Sequence, residues 1–92
     1  MSKKKFDSVW DAIEGPEEAE NMRLRAKLMR AIIGHMEKSQ LSQAAAAKLM
    51  GVTQPRISDL VRGKIDLFSI DMLINMASRA GLAVDLKIAR AA

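Results

Sequence analysis

The sequence predicts an all-α core of about five helices built around a helix-turn-helix, followed by one C-terminal β-strand paired across a dimer. Three observations carry this. Residues 42–63 spell two short helices either side of a glycine: Ser-Gln-Ala-Ala-Ala-Ala-Lys-Leu-Met, then Gly51-Val52, then Thr-Gln-Pro-Arg-Ile-Ser-Asp-Leu-Val-Arg-Gly. The stretches on both sides repeat their apolar residues at helical spacing. Residues 82–88 alone alternate with period two. Three regions result: an N-terminal segment over 1–16, a helix-turn-helix domain over 17–81, and a strand with its tail over 82–92.

Composition narrows the classes. A chain of 92 residues makes one small domain with little core to spare, so a dimer would help it. With no cysteine, neither a disulfide framework nor a thiolate metal site is available. Lys3, Lys4 and Lys5 resemble the start of a signal peptide, but Asp7, Asp11 and Glu14 then break the apolar run such a peptide needs. No apolar run approaches the roughly 20 residues of a membrane span, so no membrane partner and a cytoplasmic location are expected. The net charge of +4 is unevenly spread: residues 1–22 hold three lysines and six acids, whereas residues 23–92 hold twelve Lys/Arg and five acids. A basic body suits a polyanion, and an acidic N-terminal segment suits something else.

Taken in order, residues 1–5 are basic and expected to be disordered. Phe6, Val9, Trp10 and Ile13 then fall at i, i+3, i+4 and i+7 on one face of a short helix, which Gly15-Pro16 ends. That stripe either packs back on the main domain or anchors a partner protein, since aromatic anchors dominate interfaces. Pro16-Glu17-Glu18 starts the next helix, with acids placed favourably for its dipole. It runs to about Lys38 along an apolar stripe of Met22, Ala26, Met29, Ile33 and Met36, widened by Leu28 and Ile32. Arg23, Arg25, Lys27 and Arg30 lie off the stripe and read mainly as a solvated face. His35, the single histidine, reads as a surface or boundary residue.

Ser39-Gln40-Leu41 makes a turn, with Leu41 buried, and Ser42 caps the first motif helix. The alanines at 44–47 carry no propensity penalty and let helices approach closely. Gly51 supplies the left-handed turn that ends this helix. Thr53 caps the second motif helix, Pro55 sits harmlessly in its first turn, and Ile57, Leu60 and Val61 face inward. Lys64-Ile65-Asp66-Leu67-Phe68 is a loop with two or three anchors in the core. Ser69 caps a last helix whose apolar side holds Ile70, Leu73, Ile74, Met76 and Ala77 and which ends at Gly81. One arrangement packs Ile74 and Ala77 on the domain and turns Ile70 and Met76 to a partner chain. In residues 82–88, Leu82, Val84, Leu86 and Ile88 share one face. A lone strand leaves its backbone groups unpaired, so the same strand of a second copy is its expected partner. An edge strand of another protein and a frayed tail are the other readings.

Two helices about such a turn place the second as a reader of double-stranded DNA in the major groove. The stretch resembles the Cro/cI-type (XRE) repressor family, on Leu41, Ser42, Gln43, Ala47, Gly51, Val52, Thr53, Gln54, Ile57 and Leu60. Over residues 6–88 the chain is similar to the HigA-type antitoxin subgroup of that family. Phe6-Asp7-Ser8-Val9-Trp10-Asp11, the run from Thr53 to Leu60 with Arg62-Gly63-Lys64, and Leu67-Phe68-Ser69 carry the closer match. The resemblance implies a lambda-repressor-like fold and a dimeric operator-binding repressor, an antitoxin that neutralises an RNA-cleaving toxin and represses its own operon. An orphan regulator without a toxin, and a protein that mainly neutralises a toxin, are the alternatives.

The resemblance also assigns positions. Gln43 and Thr53 match backbone-contacting residues, and Gln54 matches a base reader, for which bidentate pairing to adenine is the natural chemistry. Ser58 and Asp59 match further groove-facing positions. Pro55 departs from the pattern and offers only apolar contact, for example to a thymine methyl. Arg56, Arg62 and Lys64 are expected on phosphate or guanine. Asp59 is the odd member: it either accepts from cytosine or pins Arg56 or Arg62. Phe6, Val9, Trp10 and Ile13 are the candidate partner-binding residues, and Leu82, Val84, Leu86 and Ile88 the candidate dimerisation residues. One histidine, no cysteine, no tyrosine and no Gly-rich phosphate loop argue against an enzyme, and no cofactor or metal is expected.

Overall fold

The computed structural model describes residues 15–90. Four α-helices succeed one another: α1 (Pro16–Lys38), α2 (Gln43–Met50), α3 (Gln54–Val61) and α4 (Ile70–Arg79), with a short 3-10 turn at Ile65–Leu67 between the last two. The fifth helix expected over residues 6–14, with Phe6, Val9, Trp10 and Ile13, lies outside the described residues. α1 packs along α4, α2 packs on α3, and α4 also meets α2.

Each boundary has a local cause. Pro16 opens α1, with Glu17 and Glu18 in its first turn and His35 and Lys38 in its last, the order its dipole favours. The helix then stops in a paired-hydrogen-bond turn. Gln40 N–H donates to Glu37 O at 3.1 Å and Leu41 N–H to Met36 O at 2.9 Å, with Gln40 in the left-handed region at φ 54°. Ser42, Thr53 and Ser69 each accept a bond from the amide three residues on, at 3.1, 3.3 and 3.1 Å, and so cap α2, α3 and α4. Gly51 ends α2 at φ 71°, and a Cβ there would lie 2.6 Å from the Arg79 guanidinium, so the turn between the motif helices fits closely under the end of α4.

The core is one cluster. Ile32, Met50, Ile57, Leu60 and Leu73 are its largest fully buried side chains, joined by Met29, Met36, Ala46, Ala47, Phe68, Met76, Ala77 and Ala80. Removing an aliphatic side chain of this size from water contributes about 1.5–3 kcal/mol. Ala46 and Ala47 do the close packing, while Ala44 and Ala45 are exposed. Leu41 is half-buried against the cluster.

Two apolar readings need correction, and the faces of α4, which the sequence leaves open, are assigned by burial. Val61 is exposed: it lies about 40° past Ile57 on the side away from Leu60, at the rim of the buried line rather than in it. On α4, Leu73, Met76 and Ala77 are buried and Ile74 is 37% exposed, so Ile74 and not Met76 faces outward. The strand expected over 82–88 is not present in the single chain: residues 82–90 are irregular, and no strand occurs among the described residues. A strand is defined by a hydrogen-bonded neighbour, and one chain supplies none here. Instead Leu82 N–H bonds to Ala77 O at 2.9 Å and Leu86 N–H bonds to the Asp85 carboxylate at 2.9 Å. Leu82 packs on the core, whereas Val84, Leu86 and Ile88 are exposed, at 44%, 69% and 85%.

The faces of α4 give a stability test. Met76→Ala should cost about 2–5 kcal/mol and Ile74→Ala under about 1 kcal/mol, measured by urea unfolding at a concentration where the chain is monomeric. Equal losses at the two positions would contradict the assignment of faces.

Candidate nucleic-acid interface

The burial of Ile57 and Leu60 decides what α3 shows to the outside. With 100° between residues, Pro55, Ser58, Asp59 and Arg62 stand roughly opposite that buried line, and Gln54 and Val61 flank them on one side. Gln54, Pro55 and Arg62 are exposed, and Ser58 and Asp59 are half-buried. The N-terminal turns of both motif helices carry a capping hydroxyl and then glutamine, Ser42-Gln43 on α2 and Thr53-Gln54 on α3. Thr53 Oγ1 accepts from the Arg56 amide, which leaves its own O–H free to donate outward. Unpaired amides and the dipole make each turn weakly attractive to an anion.

The C-terminal end of α3 carries the cations. Gly63, at φ 74°, turns the chain so that its N–H bonds to Leu60 O and the Lys64 N–H bonds to Asp59 O, both at 3.0 Å. Lys64 is thereby brought back over the helix end, with Nζ 3.8 Å from Asp59 Oδ1. Asp59 thus pairs with Lys64 rather than with Arg56 or Arg62. Its charge is partly offset by the Lys64 ammonium. Arg62 is exposed, and no acid lies within ion-pair distance of it among the described residues.

Arg56 does not join this face. It lies about 120° round the helix from Arg62, half-buried, with Nη1 donating to Leu67 O at 3.1 Å and the guanidinium 5.5 Å from the centre of the Phe68 ring. Arg25 on α1 departs further from its sequence reading as a solvated cation. Its side chain is 12% exposed, Nε donates to Asn21 Oδ1 at 2.7 Å, and Nη1 donates to Ile65 O at 3.0 Å and Phe68 O at 3.4 Å. Its spacing from Asn21 and Glu18, one and two helical turns back, was the available signal. Arg23 behaves as expected of a surface residue: it pairs with Glu20 at 2.6 Å and holds that carboxyl below its usual pKa, mainly through the hydrogen bond.

On α3, Pro55, Ser58, Asp59 and Arg62 thus share the outward side, with Gln54 at its edge and Lys64 at the helix end; Gln43 and Thr53 stand at the two helix starts, and Arg56 stands apart. No cluster of His, Asp or Glu among the described residues is placed to hold a metal ion, and no described helix is long and apolar enough to cross a membrane.

The family model for the helix-turn-helix domain matches residues 13–89. A solved structure described as an XRE family transcriptional regulator superposes with a TM-score of 0.75 at 30% sequence identity, covering 83% of this chain and 84% of that one. The chain belongs to the XRE-type helix-turn-helix family. No curated protein gave a match. The shared region takes in all four helices and the segment after α4, so the XRE-type fold accounts for nearly the whole described structure, with α2 and α3 as its motif helices.

Proposed function

We propose that this XRE-type chain is a sequence-specific DNA-binding transcriptional repressor that presents α3 to the major groove. The observation that carries this is the sorting of α3 itself. Its apolar residues Ile57 and Leu60 are fully buried, while Gln54, Pro55, Arg62 and, just beyond the helix, Lys64 stand exposed on a scaffold that holds the helix at both ends. Gln54 is the reader, with an amide able to pair bidentately with adenine. Arg62 and Lys64 neutralise phosphate, and Gln43 and Thr53 donate to the backbone from the two helix starts. Ser58 and Asp59 face the groove between them.

Two copies are needed to read two half-sites about 34–36 Å apart, one helical turn. The exposed apolar residues Val84, Leu86 and Ile88, after the anchored Leu82, support pairing of residues 82–88 with the same segment of a second copy. Ile74 and a groove of about 500 Å3 between α1, α4 and this segment add apolar surface beside it. The resemblance to the HigA-type subgroup supports a further role as an antitoxin, with a toxin as partner and Phe6, Val9, Trp10 and Ile13 as its anchors. An acidic aromatic segment ahead of a basic body suits such a protein partner better than DNA.

Each part has its own measurement. On a duplex selected from a random pool, Gln54→Ala should lose about 1–3 kcal/mol. Arg62→Ala should weaken binding to every sequence and reduce the salt slope by about 1. Wild-type behaviour from both variants would refute the reader assignment. In sedimentation equilibrium the wild type should be dimeric and Leu86→Asp monomeric with its helical content intact, whereas a monomeric wild type would refute the 82–88 interface. Finally, the product of the adjacent gene should co-purify with the chain and be toxic when expressed alone. A harmless neighbour that does not bind would leave an orphan regulator.

A further inference from the structure

We propose that Arg25 and Arg56 form a two-arginine clamp on residues 65–68 that sets the attitude of α3, and that Arg56 is a positioning residue rather than a phosphate contact. The inference rests on the DNA-binding reading above and deepens it. The segment from Ile65 to Phe68 lies on the covalent link from the reader helix to α4, and it makes a single 3-10 turn. A turn so short leaves carbonyls without helical partners. Ile65 O already accepts the Phe68 N–H at 3.2 Å, whereas among the described residues no backbone donor reaches Leu67 O or Phe68 O; Arg25 from α1 adds a second bond at Ile65 O and takes Phe68 O, and Arg56 from α3 takes Leu67 O.

The chemistry suits arginine and not lysine. One planar guanidinium reaches two carbonyls from α1, and the other combines a hydrogen bond with a position over an aromatic ring. Phe68, beneath Arg56, is 2% exposed and belongs to the core, so the contact fastens α3 to the interior through the loop. Arg25 is fixed in turn by Asn21, with Glu18 Oε2 4.0 Å away. Hydrogen bonds donated by a charged group are the stronger kind; those of Arg25 are partly buried, and the exposed bond of Arg56 to Leu67 O is backed by the Phe68 ring. The clamp therefore joins α1 and α3 across a loop whose first neighbour is Lys64. Loss of Arg56 frees the first turn of α3 to shift, and loss of Arg25 frees the loop that follows its last turn, while the exposed cations stay in place.

Tilting and loss of charge are separable. Discrimination between a cognate and an unrelated duplex needs the groove geometry, whereas the salt slope on unrelated duplex counts neutralised phosphates. The test measures both for wild type, Arg56→Gln, Arg56→Lys, Arg25→Gln and Arg62→Gln, with helical content checked by circular dichroism. Arg56→Gln and Arg25→Gln should each lower discrimination about tenfold, on the scale of one lost base contact, with the unrelated-duplex slope unchanged. Arg56→Lys, which keeps the charge and folds as readily, should fail to restore discrimination. Arg62→Gln should lower the slope by about 1. A slope drop of about 1 in Arg56→Gln, restored by Arg56→Lys, would overturn the clamp, as would wild-type discrimination in Arg56→Lys. A wild-type chain that selects no duplex would instead overturn the DNA reading itself, and this inference with it.

Discussion

The burial of Ile57 and Leu60 is the constraint on which the rest of this molecule depends. Both side chains lie fully inside a cluster that also holds Ile32, Met50 and Leu73, one large residue or more from each of the four helices. A helix of eight residues has little stability of its own. α3 exists because two of its residues are buried and because Thr53 and Gly63 satisfy its ends. Once that line is fixed inward, the opposite line is fixed outward. The orientation of Gln54, Ser58, Asp59 and Arg62 is therefore a consequence of packing, not a separate feature.

Charge in this chain divides along the same logic. Twelve basic residues lie beyond position 22, which by itself argues for a polyanionic partner. The geometry sorts them by what surrounds each one. Arg62 and Lys64 lie at the outer end of α3, Arg23 is held by Glu20 on the surface of α1, and Arg25 and Arg56 are committed to carbonyls of the loop after the reader helix. Net charge thus overstates the cations available to DNA. A cation packed among carbonyls and an aromatic ring strengthens the frame that presents the others.

Much of this was legible in the sequence, for local reasons. Ser42, Thr53 and Ser69 announce helix starts because a side-chain oxygen three residues ahead of an amide is a short-range arrangement. Gly51 and Gly81 announce ends because the left-handed region favours glycine. What the sequence left open or misplaced needs a third dimension. The apolar stripe of α4 spans more than one side, and only its packing against α1 and α2 reveals that Met76 is in and Ile74 is out. Period-two alternation at 82–88 records an apolar edge but not the neighbour that would make it a strand. Arg25 and Arg56 read as surface or phosphate cations because their acceptors, the carbonyls of residues 65–68, are backbone atoms about forty and eleven positions away and leave no mark in the pattern of side chains.

Reading of duplex DNA by α3 from a two-fold pair of chains is tested most directly by hydroxyl-radical footprinting on the gene's own promoter. Two protected patches are expected on one face of the duplex, centred about one helical turn apart, and both should vanish together when the salt concentration is raised. Uniform weak protection along the whole fragment, or none at any protein concentration, would contradict this role for α3.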